Sequence, residues 1–151
     1  MTEDFYKIRV KDIYTPFERT PFLIEESDYK SLLNLLSVHA HAWIVDNKDD
    51  MHITGIITEK DMLGFLTENS NKKIRLFGFP KIDTLNENSK ASDLMVRKPI
   101  ICTVNECVGD VIRKLSTYRV RRLPVVDDNK RFIGEITIQV LIKKLNDNFK
   151  K

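Results

Sequence analysis

Thr58 and Asp61, which follow Gly55-Ile56-Ile57, have side chains and a spacing suited to holding a polar ligand. An ionised carboxylate such as Asp61 can accept two hydrogen bonds from a cis-diol, each charge-assisted bond being worth about 1.5 to 3 kcal/mol. Thr58 stands where a helix should begin, and the open backbone N–H groups and positive dipole end there favour a phosphate. Thr-x-x-Asp ahead of an apolar run is also close to a capping box, in which the two residues satisfy each other's backbone donors. A cap and a ligand site can coexist at Thr58. Farther on, Arg119, Arg121 and Arg122 precede the apolar run Leu123 to Val126. Arginine suits bidentate phosphate contact, and the alternatives are a solvated face or pairing with Asp127 and Asp128.

Other chemistries find little support. His39 and His41, at i and i+2, are accompanied by no cysteine or carboxylate cluster at ligand spacing, so no metal site is expected. Cys102 and Cys107 form no Cys-x-x-Cys pair and read as buried free thiols. No Gly-x-Ser-x-Gly elbow, Walker loop, Rossmann glycine fingerprint or His-Glu-x-x-His occurs, so an enzyme is not expected. The chain has 151 residues, 42% of them apolar, with 25 basic against 22 acidic side chains. That balance suits an ordinary globular surface rather than a strongly basic nucleic-acid binder. The N-terminus carries Glu3 and Asp4 and no apolar core, and no run of 18 apolar residues exists, so a cytoplasmic protein without a membrane partner is expected.

The elements that must position these residues come from an internal repeat. Gly55-Ile56-Ile57-Thr58-Glu59-Lys60-Asp61 recurs 79 residues later as Gly134-Glu135-Ile136-Thr137-Ile138-Gln139-Val140. Ala42 to Asp46 answers Leu123 to Asp127, Pro21 to Ile24 answers Pro99 to Cys102, and the lead-in Val10 to Ile13 answers Ala91 to Leu94. Each copy opens on a short strand, Phe22 to Glu25 or Ile100 to Val104. A helix follows, with apolar spacing Leu32, Leu33, Leu36 or Val108, Val111, Ile112, Leu115. Ser27 or Asp28, and Asn105, are the expected N-caps. Two strands then pair across Asp-rich turns, Ala42 to Val45 with Met51 to Ile57 and Leu123 to Val126 with Phe132 to Ile136, and a last helix opens at Thr58 or Thr137. The result is an α+β chain of two tandem β-α-β-β-α units, each too small to bury a core comfortably alone. The units are set at residues 8–68 and 91–148. Residues 69–90 form a linker whose Phe77-Gly78-Phe79-Pro80 is expected to tuck back onto the pair.

A duplicated unit with an apolar-Pro-Val-Val-Asp strand and a Gly-apolar-apolar-Thr-x-x-Asp helix start resembles the CBS domain pair, or Bateman module, from about Val10 to Asn146. The resemblance implies a stand-alone module of two units about a pseudo-two-fold axis, and commonly a homodimer. It implies regulatory binding of an adenosyl ligand: AMP, ADP, ATP, S-adenosylmethionine or cyclic di-AMP. By that resemblance Asp61 bonds the ribose hydroxyls and Thr58 contacts phosphate. Ile100 and Val120 supply an apolar adenine slot, and Arg121 or Arg122 reaches phosphates. His41 is the weaker cation in the first repeat, where Trp43 replaces the usual proline. The second copy departs from the pattern at Val140, leaving Thr137 for phosphate contact and one degenerate site. No cofactor is required, and an unidentified effector protein acts in trans. A structural dimerisation module without ligand is the alternative. Nucleic-acid binding through Arg113, Lys114, the arginine run and Lys143, Lys144, Lys150 and Lys151 is the weaker one.

Overall fold

The computed structural model describes residues 2–70 and 88–150, so the expected docking of Phe77-Gly78-Phe79-Pro80 lies outside the described residues. In chain order the elements are α1 (Thr2–Lys7), β1 (Thr15–Pro16), β2 (Phe22–Ile24), α2 (Tyr29–Leu36), β3 (His41–Val45), β4 (Ile53–Thr58) and α3 (Glu59–Ser70). Then come α4 (Ala91–Leu94), β5 (Val96–Arg97), β6 (Cys102–Thr103), α5 (Val108–Tyr118), β7 (Arg122–Val126), β8 (Phe132–Thr137) and α6 (Ile138–Phe149). The β-α-β-β-α order expected of each repeat is present twice, and the chain is α+β.

In the first unit the sheet runs β2-β3-β4-β5. β2 and β3 are parallel, Phe22 facing Trp43 and Ile24 facing Val45, which requires the crossover that α2 provides. β3 is buried along its whole length, as its unbroken apolar run Ala42 to Val45 demands. Leu32, Ala42, Ile44, Ile57, Met62 and Phe65 form the core with Ala91, Leu94 and Met95. Leu33, expected on the apolar stripe of α2, is 40% exposed instead, while Leu35 and Leu36 pack against the core.

The second unit repeats this plan with sheet order β1-β8-β7-β6. β6 and β7 are parallel across α5, and β7 and β8 form a hairpin whose turn is closed by Asp127, which accepts the Asn129 and Arg131 amides at 2.9 Å each. Val108, Val111 and Leu115 of α5 meet Leu123, Val125, Ile136 and Leu141 in its core. The strand expected from Ile100 to Val104 is reduced to Cys102–Thr103. Nor does Asn105 cap α5. Glu106 closes a turn by accepting the Thr103 amide at 2.6 Å, so the helix starts two residues later, with Cys107 as N-cap and Asp110 returning a bond to the Cys107 amide.

The lead-ins sort differently from the boundaries 8–68 and 91–148. Residues Met1–Thr20 belong to the unit of the second repeat, and the segment ending at Arg97 to the unit of the first. Their attachments match. The Val10 and Lys11 amides donate to the carbonyls of Glu106 and Val104, and the Ala91 and Ser92 amides to those of Ser27 and Glu25. β1 then pairs antiparallel with β8, and β5 with β4. This crossing explains the glycine that opens each repeated motif. A Cβ on Gly134 would collide with the Thr15 carbonyl, and one on Gly55 with the Met95 side chain. Gly55-Ile56-Ile57-Thr58 and its copy are therefore strands with a second strand laid across their first residue.

Candidate functional site

The first residue of α3 is tied to the sheet, since the Glu59 amide donates to the Ala40 carbonyl at 3.0 Å. Thr58 and Asp61 close on one another around it. Asp61 Oδ2 accepts from the Thr58 amide at 2.9 Å and from Thr58 Oγ1 at 3.0 Å, and the Asp61 amide donates to Thr58 Oγ1 at 3.3 Å. The capping box weighed against a ligand site is thus present. All of these bonds use Oδ2; among the described residues none reaches Oδ1. Both residues are half-buried, which leaves the pair accessible. On the strand beside them His41 is 7% exposed, its ring edge against Trp43 with centroids 5.6 Å apart. The first unit therefore brings Thr58, Asp61 and His41 to one end of its β3–β4 hairpin.

The remaining expected residues lie in the second unit. Arg122 faces Thr137 across the β7–β8 ladder, and the Ile138 amide donates to the Arg121 carbonyl at 3.0 Å, the counterpart of Glu59 to Ala40. Thr137 Oγ1 accepts the Val140 amide at 3.1 Å and so caps α6 with no carboxylate. The arginine run is a helix-to-strand turn: Arg119 ends α5 in a left-handed conformation, and Arg121 is exposed. Only Arg122 enters the sheet. Ile100 and Val120 are half-buried and pack against the core of this unit.

Two residues outside the expected ligand site have clear positions. Cys107 is half-buried rather than buried, and its Sγ donates to Asp110 Oδ2 at 3.2 Å. Its signal was Cys-x-x-Asp ahead of an apolar run, a capping box in unfamiliar letters. Glu135 is a buried carboxylate in the interior of β8, visible in sequence as the one charged residue of Gly-Glu-Ile-Thr. Cys102 is fully buried, which pushes its thiol up to about 12. His39 is exposed while His41 is buried, and no group of three or more histidine, cysteine or acidic side chains that could hold a metal occurs among the described residues. Among the same residues no helix is long and apolar enough to cross a membrane.

Residues 91–147 match the CBS domain family. The CBS-pair protein CBSX2 of Arabidopsis thaliana, solved in complex with AMP, superposes with a TM-score of 0.72 over 95% of this chain and 99% of that chain, at 23% identity. Residues 91–147 thus belong to the CBS-domain family, and the chain as a whole has the fold of a CBS pair. Its fold is also that of the CBS domain of a bacterial CNNM/CorC family Mg2+ transporter in complex with ATP, with a TM-score of 0.73, 18% identity, and coverage of 96% and 92%. A homoserine O-acetyltransferase of Methanosphaera stadtmanae is 31% identical over 133 residues, which are 87% of this chain and 23% of that protein. The matched region is thus a minor part of that relative, and the likeness carries no transferase chemistry with it.

Proposed function

We propose that this CBS-domain chain is a non-catalytic regulatory module that binds an adenine-containing nucleotide and signals to a separate effector protein. The observation that carries the reading is the half-used carboxylate of Asp61. Oδ2 secures the start of α3, and Oδ1 stays available to the ribose diol, beside a helix start suited to phosphate. The Glu59 and Asp61 amides and the Thr58 hydroxyl already have acceptors, so the Lys60 amide is the phosphate donor this site offers, and Thr58 Oγ1 joins it by turning its proton from Asp61 to the ligand. Ile100 and Val120 remain the proposed adenine contacts. The AMP complex of CBSX2 and the ATP complex of the transporter domain support an adenosyl ligand, drawn from AMP, ADP, ATP, S-adenosylmethionine and cyclic di-AMP.

Thermal unfolding of the wild type and of Asp61→Ala against those ligands, with guanine nucleotides as controls, tests the reading. A ligand at about 100 times its Kd adds about 2.7 kcal/mol, or roughly 5 to 11 °C for a chain of this length. The expected result is such a shift for one adenine ligand, lost in Asp61→Ala. If no ligand moves the midpoint, the Thr58–Asp61 pair is a helix cap and nothing more. That outcome favours the second reading, a structural dimerisation module, whose supporting observation is the completeness of the cap itself. Both readings include a homodimer. Its proposed contact is the apolar groove of α5 and α6 lined by Ile112, Leu115, Ile138, Leu141 and Ile142. Sedimentation equilibrium should then show Ile142→Glu as a monomer.

A further inference from the structure

The second unit holds a charge that the repeat does not explain. Where the first repeat has Ile56, the second has Glu135, a carboxylate in mid-strand that is only 7% exposed. Burial of a carboxylate is costly unless its surroundings are arranged for it, so this glutamate shapes the electrostatics of whatever lies beside it. Strand register says what that is. Arg122 pairs with Thr137 and Pro124 with Glu135, while the intervening Leu123 and Ile136 belong to the core beneath α5 and α6. Side chains alternate along a strand, so Arg122, Glu135 and Thr137 share the face turned away from that core. Glu135 sits diagonally across the ladder from Arg122 and two residues before Thr137, a separation long side chains span. In the first unit the carboxylate, Asp61, stands at the helix start where it serves the ribose. In the second that position is Val140, and the carboxylate stands instead diagonally across the ladder from Arg122.

We infer that Glu135 is a specificity-determining residue of the Arg122–Thr137 site: its charge offsets the guanidinium and restricts the site to nucleotides with few phosphates, AMP over ATP. The inference rests on the nucleotide reading above and deepens it. A fixed carboxylate several ångströms from the phosphates opposes each added negative charge by on the order of tenfold in affinity in a partly buried site.

Equilibrium dialysis of AMP and of ATP at millimolar concentration, in an Asp61→Ala background that weakens the first site, isolates the effect. With Glu135 present, AMP should bind more tightly than ATP. Glu135→Gln should move the ATP-to-AMP affinity ratio towards ATP by on the order of tenfold or more, and Glu135→Asp should keep the AMP preference. Glu135→Ile, which installs the residue of the first repeat, provides a second charge-free variant should glutamine disturb the fold, and thermal unfolding of each variant identifies such a disturbance. A ratio that stays the same in the folded charge-free variants overturns the inference, and so does the absence of binding in the Asp61→Ala background. Failure of the wild type to bind any adenine nucleotide removes the broader reading as well, so the two failures are distinguishable.

Discussion

The starts of α3 and α6 carry the same threonine and differ by one carboxylate. In both, the threonine hydroxyl accepts the amide of the third helical residue, from Asp61 at 3.3 Å and from Val140 at 3.1 Å. α6 is capped without help from a carboxylate, so the helix needs only the threonine. Asp61 adds the return bond to the Thr58 amide, and one of its oxygens is left over. The two repeats therefore separate two parts of Thr-x-x-Asp: the threonine alone suffices for the cap, and the aspartate brings an oxygen that the cap does not use.

Substitutions at matched positions of the two repeats sharpen or break this contrast, and the largest effect is structural. Trp43 and Pro124 occupy equivalent places in β3 and β7, both buried, with Trp43 1% exposed. Trp43→Ala should cost about 3–5 kcal/mol in denaturant unfolding, as a large aromatic removed from a core does, and Pro124→Ala much less. Equal costs would mean that the tryptophan is not the packing centre of its sheet. Next come the motif glycines. Gly134→Ala should cost about 1–3 kcal/mol, because the Thr15 carbonyl it meets is backbone held in a strand pair. Gly55→Ala should cost less, since the Met95 side chain in its way is flexible. A reversed order would show that the Thr15 backbone yields more readily than the Met95 side chain. The third test rebuilds the missing group. Val140→Asp should return the reciprocal cap and stabilise by about 0.5–1 kcal/mol. If the surplus-carboxylate argument holds, it should also tighten nucleotide binding at the second repeat, read by calorimetry in the Asp61→Ala background.

Much of this plan was legible in the sequence because it depends on local signals. Apolar runs on either side of Asp-rich turns gave β3, β4, β7 and β8, and the Gly-x-x-Thr spelling placed the starts of α3 and α6 within a residue. The lead-ins were noticed as a matching pair, Val10 to Ile13 and Ala91 to Leu94, but not their destinations. No local pattern reports that β1 pairs with a strand more than a hundred residues later, whereas a glycine at the head of each motif does report that something crosses there. Asn105 lost the cap of α5 for a similar reason. Its propensity is right, but Glu106 spends its carboxylate on the Thr103 amide and shifts the helix start to Cys107. Of the site, Thr58 and Asp61 were visible as a motif. Glu135 stood out as a charge within an apolar strand, but its place diagonally across the ladder from Arg122 follows only from the register.

The smallest expected effect concerns α5, whose start has the carboxylate that α6 lacks but an unusual capping atom. Asp110 accepts the Cys107 amide at 3.0 Å and the Cys107 thiol at 3.2 Å, and it pairs with Arg113. The Cys107 amide and thiol, with Arg113 adding to them, hold its carboxyl below the ordinary 3.8. A carboxyl depressed by folding contributes stability that is fully present above its unfolded value and is lost as the pH falls through its folded one. Asp110→Asn should therefore unfold earlier than the wild type at neutral pH. The two unfolding curves should converge as the pH drops below 3.8, because protonation removes from the wild type the same charge that the substitution deletes. Thermal unfolding of both proteins between neutral pH and the acid range gives the answer. Convergence would place α5 with α3, as a helix whose start is held by an ionised return bond. A gap that persists into strong acid would mean that the cap of α5, like that of α6, owes nothing to charge.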